Sequence, residues 1–454
     1  MKKLLFLVLF TAVVPVPAQT NPAITKWLQN NTTTGYYYLS GNSTPISNGI
    51  LVNCQQVRYS TNNVYVNATG MPAYKVGPFT GDGNPNQAGN QNAIFRLPLN
   101  PTQNTGTPTP TTGGNIGIFI NGVAMFDFRD GVAWNTSTNA PCGGPGNPPC
   151  PGGPGTVQAW NRDAVLYERP GFDCSKGHPA GTNYHHHQNP SAFDLDLNVI
   201  STICNLYDGD GLYAINTAQH SPLIGFAYDG FPIYGAYGYT NSNGTGGITR
   251  MKSGYQLRSI SVRTHHADGT DVSDGPAVSS TYPLGAFRED YEWISHAGDE
   301  SYLDIHNGRF CVTPEYPAGI YCYFATVATN HNSAYPYLVG PTYYGNKTGA
   351  KVTTITETTT TYTLASNDFN LNNKTIKVFP NPTSDLIAIQ VGDLVTTDLK
   401  IDLYDVTGRL IKSNQINAGQ TITYFDVQDI YNGTYIVKIS EGNNSISKTI
   451  IIDK

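Results

Sequence analysis

Short apolar runs joined by turn dipeptides dominate the middle of this 454-residue chain. Apolar runs flank the pair Asn121-Gly122, and similar runs flank Asp229-Gly230. Asn-Gly and Asp-Gly tolerate positive φ, which the tight turns of two-residue hairpins require. The pattern therefore predicts a mainly β protein rather than one built on long helices.

The composition agrees with strands and turns and excludes one class of partner. Only 13% of the residues are charged, whereas glycine (47), proline (30) and tyrosine (30) are abundant. The formal net charge is -6, so the chain has no excess of basic side chains to neutralise phosphates. We therefore expect no nucleic-acid partner.

The N-terminus has the three parts of a secretory signal. A basic head, Lys2-Lys3, precedes an apolar run over 4–14, and Val16-Pro17-Ala18 supplies small residues for cleavage. The alternative is a membrane anchor, but about 11 apolar residues are too short for a hydrocarbon core about 30 Å thick. We expect residues 1–18 to be a signal peptide and the mature chain, without a transmembrane span, to be secreted or held at the cell surface.

Seven cysteines in an exported chain predict disulfides. Three pairs are predicted: Cys142 with Cys150, Cys174 with Cys204, and Cys311 with Cys322. The first pair brackets a Pro/Gly-rich loop and the last flanks the tip of an expected hairpin, while Cys54 is left outside the pairs. Thiolate binding of a metal is the weaker alternative.

Changes in composition predict the domain boundaries. A β-rich region over 19–114 precedes a central β domain over 115–345, and a Thr-rich linker follows over 346–373. Beyond it, residues 374–454 contain six short alternating strands separated by glycine turns. This pattern predicts a small antiparallel β-sandwich.

The last segment also resembles a known family. Three motifs carry the likeness, VFPNP over 378–382, LYDVTGR over 403–409 and GTYIVKI over 433–439, together with a final Lys454. They are similar to the C-terminal sorting domain of type IX secretion substrates. The resemblance implies that residues 374–454 engage the type IX secretion machinery and carry the protein across the outer membrane.

The ten histidines all lie between residues 178 and 331. The densest group is His178 followed by the triplet His185-His186-His187. If the triplet is extended, the two-residue period of a strand places His185 and His187 on one face. The pattern predicts a metal site supplied by this pair.

Imidazole nitrogens favour a divalent ion such as Zn or Cu, and three protein ligands would leave one position open. Either His178 or His220 can complete the set. The alternative is that these histidines are surface residues bonded to loops and water.

Three further residues are candidates for supporting roles. Asp304 and His306 are two positions apart, so one strand face would present both, as ligand and orienting partner or as an acid–base pair. Asp229 is better explained as a turn residue than as a catalytic carboxylate, because it precedes Gly230 between two apolar runs.

The central domain resembles the YHYH family. The residues that carry the likeness are 177–179 (GHP), 184–187 (YHHH), 225–235, 303–309 (LDIHNGR), 314–317 (PEYP), 319–324 (GIYCYF) and 335–337 (YPY). One position departs, since His186 replaces the second tyrosine of the naming motif. The resemblance supports the choice of His185 and His187 and implies no particular reaction.

Two functions are consistent with these observations. The first is divalent-metal binding through the clustered histidines, in an extracellular binding or hydrolytic role. The alternative is a metal-free adhesion module that recognises glycans or surfaces through Tyr-rich faces. The chain has no P-loop and no dinucleotide fingerprint, which argues against nucleotide chemistry, and no Gly-x-Ser-x-Gly elbow, which argues against a serine hydrolase of that type.

Overall fold

A computed structural model describes residues 21–454 except for 43, 80–85, 154–155, 191–216, 363–368, 372–373, 393–394, 396 and 442–443. The predicted signal peptide and Cys204 lie outside the described residues. The chain divides near residue 362 into two compact units. Both units are built mainly from β-strands, which confirms the predicted fold class.

The first unit contains a mixed sheet of eight strands. In spatial order they are β11 (His178–Ala180), β12 (Asn183–His186), β7 (Ala124–Phe126), β6 (Asn115–Phe119), β13 (Leu223–Ala227), β14 (Pro232–Tyr234), β20 (Ile320–Phe324) and β19 (Gly308–Cys311). The predicted hairpins at Asn121-Gly122 and Asp229-Gly230 are present as β6–β7 and β13–β14. Gly122 and Gly230 have φ of 80° and 88°, as these turns require.

A second, five-stranded sheet joins the N-terminal region to the end of the unit. Its order is β21 (Ala350–Val352), β5 (Ala93–Pro98), β4 (Asn63–Ala68), β3 (Cys54–Tyr59) and β22 (Thr360–Tyr362). Residues 346–373 were expected to be a linker, but two short strands within them, β21 and β22, pair with β5 and β3. Buried residues of 23–343 form one core, so the regions 19–114 and 115–345 fold together.

Smaller elements complete the first unit. Four small sheets or hairpins are formed by β1 (Thr34–Tyr37) with β2 (Ile46–Leu51); β8 (Arg129–Asn135) with β9 (Ala140–Cys142) and β10 (Asn161–Asp163); β15 (Tyr237–Tyr239) with β16 (Ile248–Arg250); and β17 (Tyr255–Leu257) with β18 (Tyr291–Trp293). The helices are short: α1 (Pro22–Thr25), α2 (Ala164–Tyr167) and 3-10 turns at Arg169–Gly171 and Arg288–Asp290.

The second unit consists of two four-stranded antiparallel sheets. One has the order β23 (Phe369–Leu371), β24 (Lys374–Phe379), β25 (Leu386–Val391) and β28 (Ile422–Asp426); the other is β27 (Leu410–Ile416), β26 (Leu399–Asp405), β29 (Gly433–Glu441) and β30 (Asn444–Ile452). Side chains of both sheets, among them Ile389 and Val437, share one buried core. This is the β-sandwich that the alternating pattern predicts.

The predictions for the cysteines have different outcomes. The predicted Cys142–Cys150 disulfide is present. Cys174 is also disulfide-bonded, although its predicted partner lies outside the described residues. Cys54 is buried and donates to the Ile120 carbonyl.

The predicted Cys311–Cys322 disulfide is wrong for this structure, in which both cysteines are buried free thiols. The two strands pair as predicted, but Cys311 lies opposite Ile320 and Cys322 opposite Arg309. The cysteines are therefore diagonal neighbours, whose α-carbons lie about 7–8 Å apart in a regular sheet. That separation exceeds the usual range for a disulfide, and the Cys322 thiol donates to the Ile320 carbonyl at 3.5 Å instead.

Within the described part of the chain, no helix has both the length and the apolar character needed to cross a bilayer.

Candidate metal centre

Three imidazoles meet at one edge of the eight-stranded sheet. His178 and His185 are directly opposite one another in the antiparallel pair β11–β12. His187 follows two residues after His185 and therefore returns to the same face, as predicted. One ligand nitrogen from each of the three lies within 4.8 Å of the others. All three side chains are nearly inaccessible, with 4%, 1% and 2% exposure for His178, His185 and His187.

Backbone carbonyls determine which nitrogens of His185 and His187 carry hydrogen. Nδ1 of His185 lies 2.9 Å from the carbonyl of Asn183, and Nδ1 of His187 lies 2.5 Å from the carbonyl of Asp127. A carbonyl oxygen only accepts, so each Nδ1 must donate and each neutral ring keeps a lone pair on Nε2. These two Nε2 atoms lie 3.0 Å apart.

Two acceptor atoms at that separation need a cation between them. A second proton on His185 is disfavoured, because burial lowers the pKa of this ring well below its usual value. A metal ion satisfies both lone pairs, and tetrahedral ligation at about 2.05 Å places neighbouring nitrogens about 3.3 Å apart. The backbone bonds to Nδ1 also fix the ring orientations, as outer partners do in metal sites.

Glu168 adds a carboxylate that was not predicted from the sequence. Its Oε2 lies 3.2 Å from His178 Nε2 and 3.0 Å from His187 Nε2. Burial alone would raise the pKa of Glu168, but the contacts with His178 and His187 outweigh it and lower the pKa to about 2. Glu168 ends α2 ten residues before His178, and no spacing motif connects the two.

A tight loop holds the histidine strands together. The buried Asp173 carboxylate accepts hydrogen bonds from Gly77 N, Ser175 N, Gly177 N and Tyr184 Oη at 3.0, 2.9, 3.1 and 2.9 Å. This carboxylate therefore connects the start of β11 with β12. A β-carbon at Gly177 would collide with the Tyr184 ring and approach His186, which explains why the loop has glycine there.

His186, which replaces the tyrosine of the family motif, points to the opposite face of β12. Its Nδ1 lies 3.0 Å from the Lys176 carbonyl and its Nε2 lies 2.7 Å from Tyr74 Oη. The tautomer that donates from Nδ1 accepts from Tyr74, so both nitrogens are satisfied. Burial lowers the pKa of His186 to about 3, which keeps this ring neutral.

A cavity of about 600 Å³ reaches the cluster from outside. Its lining includes all three histidines and Glu168, together with Phe126, whose ring stacks on His185 at 3.7 Å between centroids. The site is therefore buried from bulk water on most sides but accessible to a small ligand through the cavity.

The structure separates His220 from the cluster. His220 packs against Tyr234 of β14 and Phe324 of β20. Four strand spacings of about 4.8 Å lie between β12 and β14, roughly 19 Å. The expectation that His220 completes the site was wrong, because the strand order places the two histidine segments far apart in the sheet.

The three predicted supporting residues also lie away from the histidine cluster, Asp229 between β13 and β14 and the other two just before β19. Residues 303–307 lie outside any strand and turn at 305–306, where Asp304 accepts from the backbone N–H of His306 and Gly308. His306 Nδ1 contacts Thr342. Asp229 is a buried turn residue that accepts from Tyr323 Oη at 2.5 Å and Gly345 N at 2.9 Å. These residues stabilise loops and do not approach the histidine cluster.

The arrangement of His178, His185 and His187 can hold a metal ion. Three nitrogens and one carboxylate oxygen form a donor set typical of zinc and copper sites, and all four side chains line a cavity through which a ligand can enter.

Comparison with known proteins agrees with both resemblances. Residues 377–453 match the secretion system C-terminal sorting domain, which indicates export through the type IX system and a secreted or cell-surface location. No curated protein matches the chain. Residues 94–340, more than half of the chain, match the profile described as YHYH protein. The chain therefore belongs to the YHYH protein family.

Proposed function

We propose that this exported protein binds one divalent transition-metal ion, zinc or copper, through His178, His185 and His187, with Glu168 as a fourth donor. The observation that carries the proposal is the convergence of three buried imidazoles, in which the His185 and His187 Nε2 atoms lie 3.0 Å apart. Two neutral acceptors repel at this distance unless a cation lies between them.

The cavity supports a role beyond structural metal binding. Four protein donors alone would suit a closed structural zinc site, but a zinc site that a ligand can reach is able to expand to five-coordinate. Here a cavity of about 600 Å³ ends at the four donors. An extracellular binding or hydrolytic role follows, in which the ion contacts a ligand that enters through this cavity.

Elemental analysis tests the metal site. The full mature chain, purified without a histidine tag, is compared with His185→Ala/His187→Ala and with the matched control His265→Ala/His296→Ala, whose histidines are solvent-exposed. We expect about one zinc or copper per chain in the wild type and the control, and none in the site variant.

A second variant separates loss of the ligand set from loss of folding. Glu168→Gln keeps the size of the side chain and should retain the fold, with metal affinity reduced at least 10- to 100-fold. If the wild type takes up no zinc or copper from solution, the metal proposal is wrong and the metal-free adhesion module becomes the better account.

We also propose that residues 374–454 engage the type IX secretion machinery. The support is the compact second unit beginning near residue 363 and the match to the sorting domain. Cell fractionation should show the full chain outside the outer membrane and a chain ending at Tyr362 in the periplasm. Equal export of both chains would show that the second unit is not needed.

A further inference from the structure

Arg162 lies in the wall of the same cavity as the candidate metal ligands. It belongs to β10, which runs directly into α2, and Glu168 follows at the end of that helix. One short segment therefore places both the arginine and the carboxylate that contacts the histidines.

The guanidinium of Arg162 is held in a fixed position. Its Nε donates to Asp130, whose side chain is fully buried, and its plane lies over the Tyr167 ring at 4.4 Å. Neither terminal nitrogen makes a hydrogen bond to any residue that the structure describes, and the side chain is 25% exposed. A guanidinium has five N–H donors, so Arg162 presents several donors that the protein itself does not use.

The charges around the cavity favour an anion. Arg129 also lines the cavity, but it is paired with the buried Asp127. Asp130 and Glu168 supply two negative charges, which a divalent ion alone would balance. Arg162 then leaves an excess of positive charge in a partly desolvated cavity, where electrostatic attraction is stronger than in water.

We propose that the cavity binds an oxyanion group, carboxylate or phosphate, between the metal position and Arg162. The inference rests on the proposed metal site. The planar fork of arginine suits two-oxygen anions, and the cavity is larger than a free anion needs. Its volume lies within the range of small-molecule sites, roughly 300–1,000 Å³, so the oxyanion belongs to a larger molecule.

A neighbouring cavity gives the rest of that molecule a path. It measures about 340 Å³ and shares Gly113, Arg129 and Gly131 with the first. Its far wall is the Pro/Gly-rich loop closed by Cys142–Cys150. Two of the three shared residues are glycines, so the passage between the two cavities is lined there by backbone and leaves room for an extended ligand.

The test uses the full chain loaded with Co²⁺, whose visible absorption reports the number of ligands on the ion. Acetate and inorganic phosphate are titrated separately into the wild type, into Asp130→Asn and into Asp130→Asn/Arg162→Gln. The common Asp130→Asn background avoids leaving a buried carboxylate without its partner. Arg169→Gln removes the same charge from an exposed residue outside the cavity lining.

We expect at least one anion to change the cobalt spectrum, with affinity about 10- to 100-fold weaker in the double variant, as loss of a charge-assisted hydrogen bond predicts. Arg169→Gln should bind as the wild type does. The stronger of the two anions identifies the group. Cobalt uptake without any spectral change, or equal affinity with and without Arg162, overturns the anion site alone. Failure to take up cobalt overturns the metal site and this inference together.

Discussion

Removing the Asp173 carboxylate should destabilise the first unit and weaken the metal site together. The carboxylate is 1% exposed and accepts four hydrogen bonds. We take about 1 kcal/mol for each bond, because desolvation of the carboxylate offsets part of its strength. Asp173→Ala should therefore lower the free energy of unfolding by about 4 kcal/mol. Tyr184→Phe removes one of the four bonds and should lower it by about 1 kcal/mol.

Tryptophan fluorescence in urea at pH 8 measures this effect selectively. All four tryptophans lie in the first unit, at positions 27, 134, 160 and 293, so the second unit does not contribute to the signal. Zinc affinity, measured by competition with a chromophoric chelator, should fall about 10- to 100-fold in Asp173→Ala, as for other residues that orient ligands. A loss of stability below about 1 kcal/mol would refute the hydrogen-bond reasoning. A large loss with unchanged zinc affinity would show that the loop does not position His178.

Three further predictions concern other parts of the first unit. The variant Cys142→Ser/Cys150→Ser removes a disulfide between residues eight positions apart. Because the unfolded chain then gains conformational entropy, the free energy of unfolding in urea should fall by about 2.6 kcal/mol. No loss would place the loop outside the cooperative unit. Phe126→Ala removes the ring stacked on His185 and should weaken zinc binding up to about 10-fold in the chelator assay. Burial lowers the pKa of His220, so the unfolded state takes up protons first as pH falls through about 6.5. Stability is therefore lost with acidification, and His220→Phe should lose less than the wild type between pH 7 and 5; identical losses would contradict this.

Local periodicity explains what could be predicted. The two-residue period places His185 and His187 on one face whatever the tertiary structure, and His178 is near them in sequence. Turn dipeptides predict the β6–β7 and β13–β14 hairpins in the same way. The strands of the second unit could be predicted from alternating apolar residues and the glycines at the turns between them.

Features that depend on tertiary arrangement could not be predicted from the sequence. His220 and the cluster both lie beside the eight-stranded sheet, but the order of its strands is not a local property. Glu168 reaches the histidines only because α2 packs next to β8 and β10, and no pattern in the sequence connects it to them. The Cys311–Cys322 prediction depended on register: Cys311 lies opposite Ile320, two residues from the pairing that would place the two cysteines face to face.

The location of the cluster combines a rigid set of candidate ligands with access from the cavity. β12 is fixed on both sides, by antiparallel pairing with β11 and by parallel pairing with β7. The carbonyl that orients His187 comes from Asp127, immediately after β7, so the same pairing that fixes β12 also fixes the ring. One face of β12 packs His186 into the core against Phe119, and the other presents His185 to the cavity. Because the two faces have separate tasks, changes at Tyr74 or His186 should act on stability, whereas changes at Glu168 or Arg162 should act on binding.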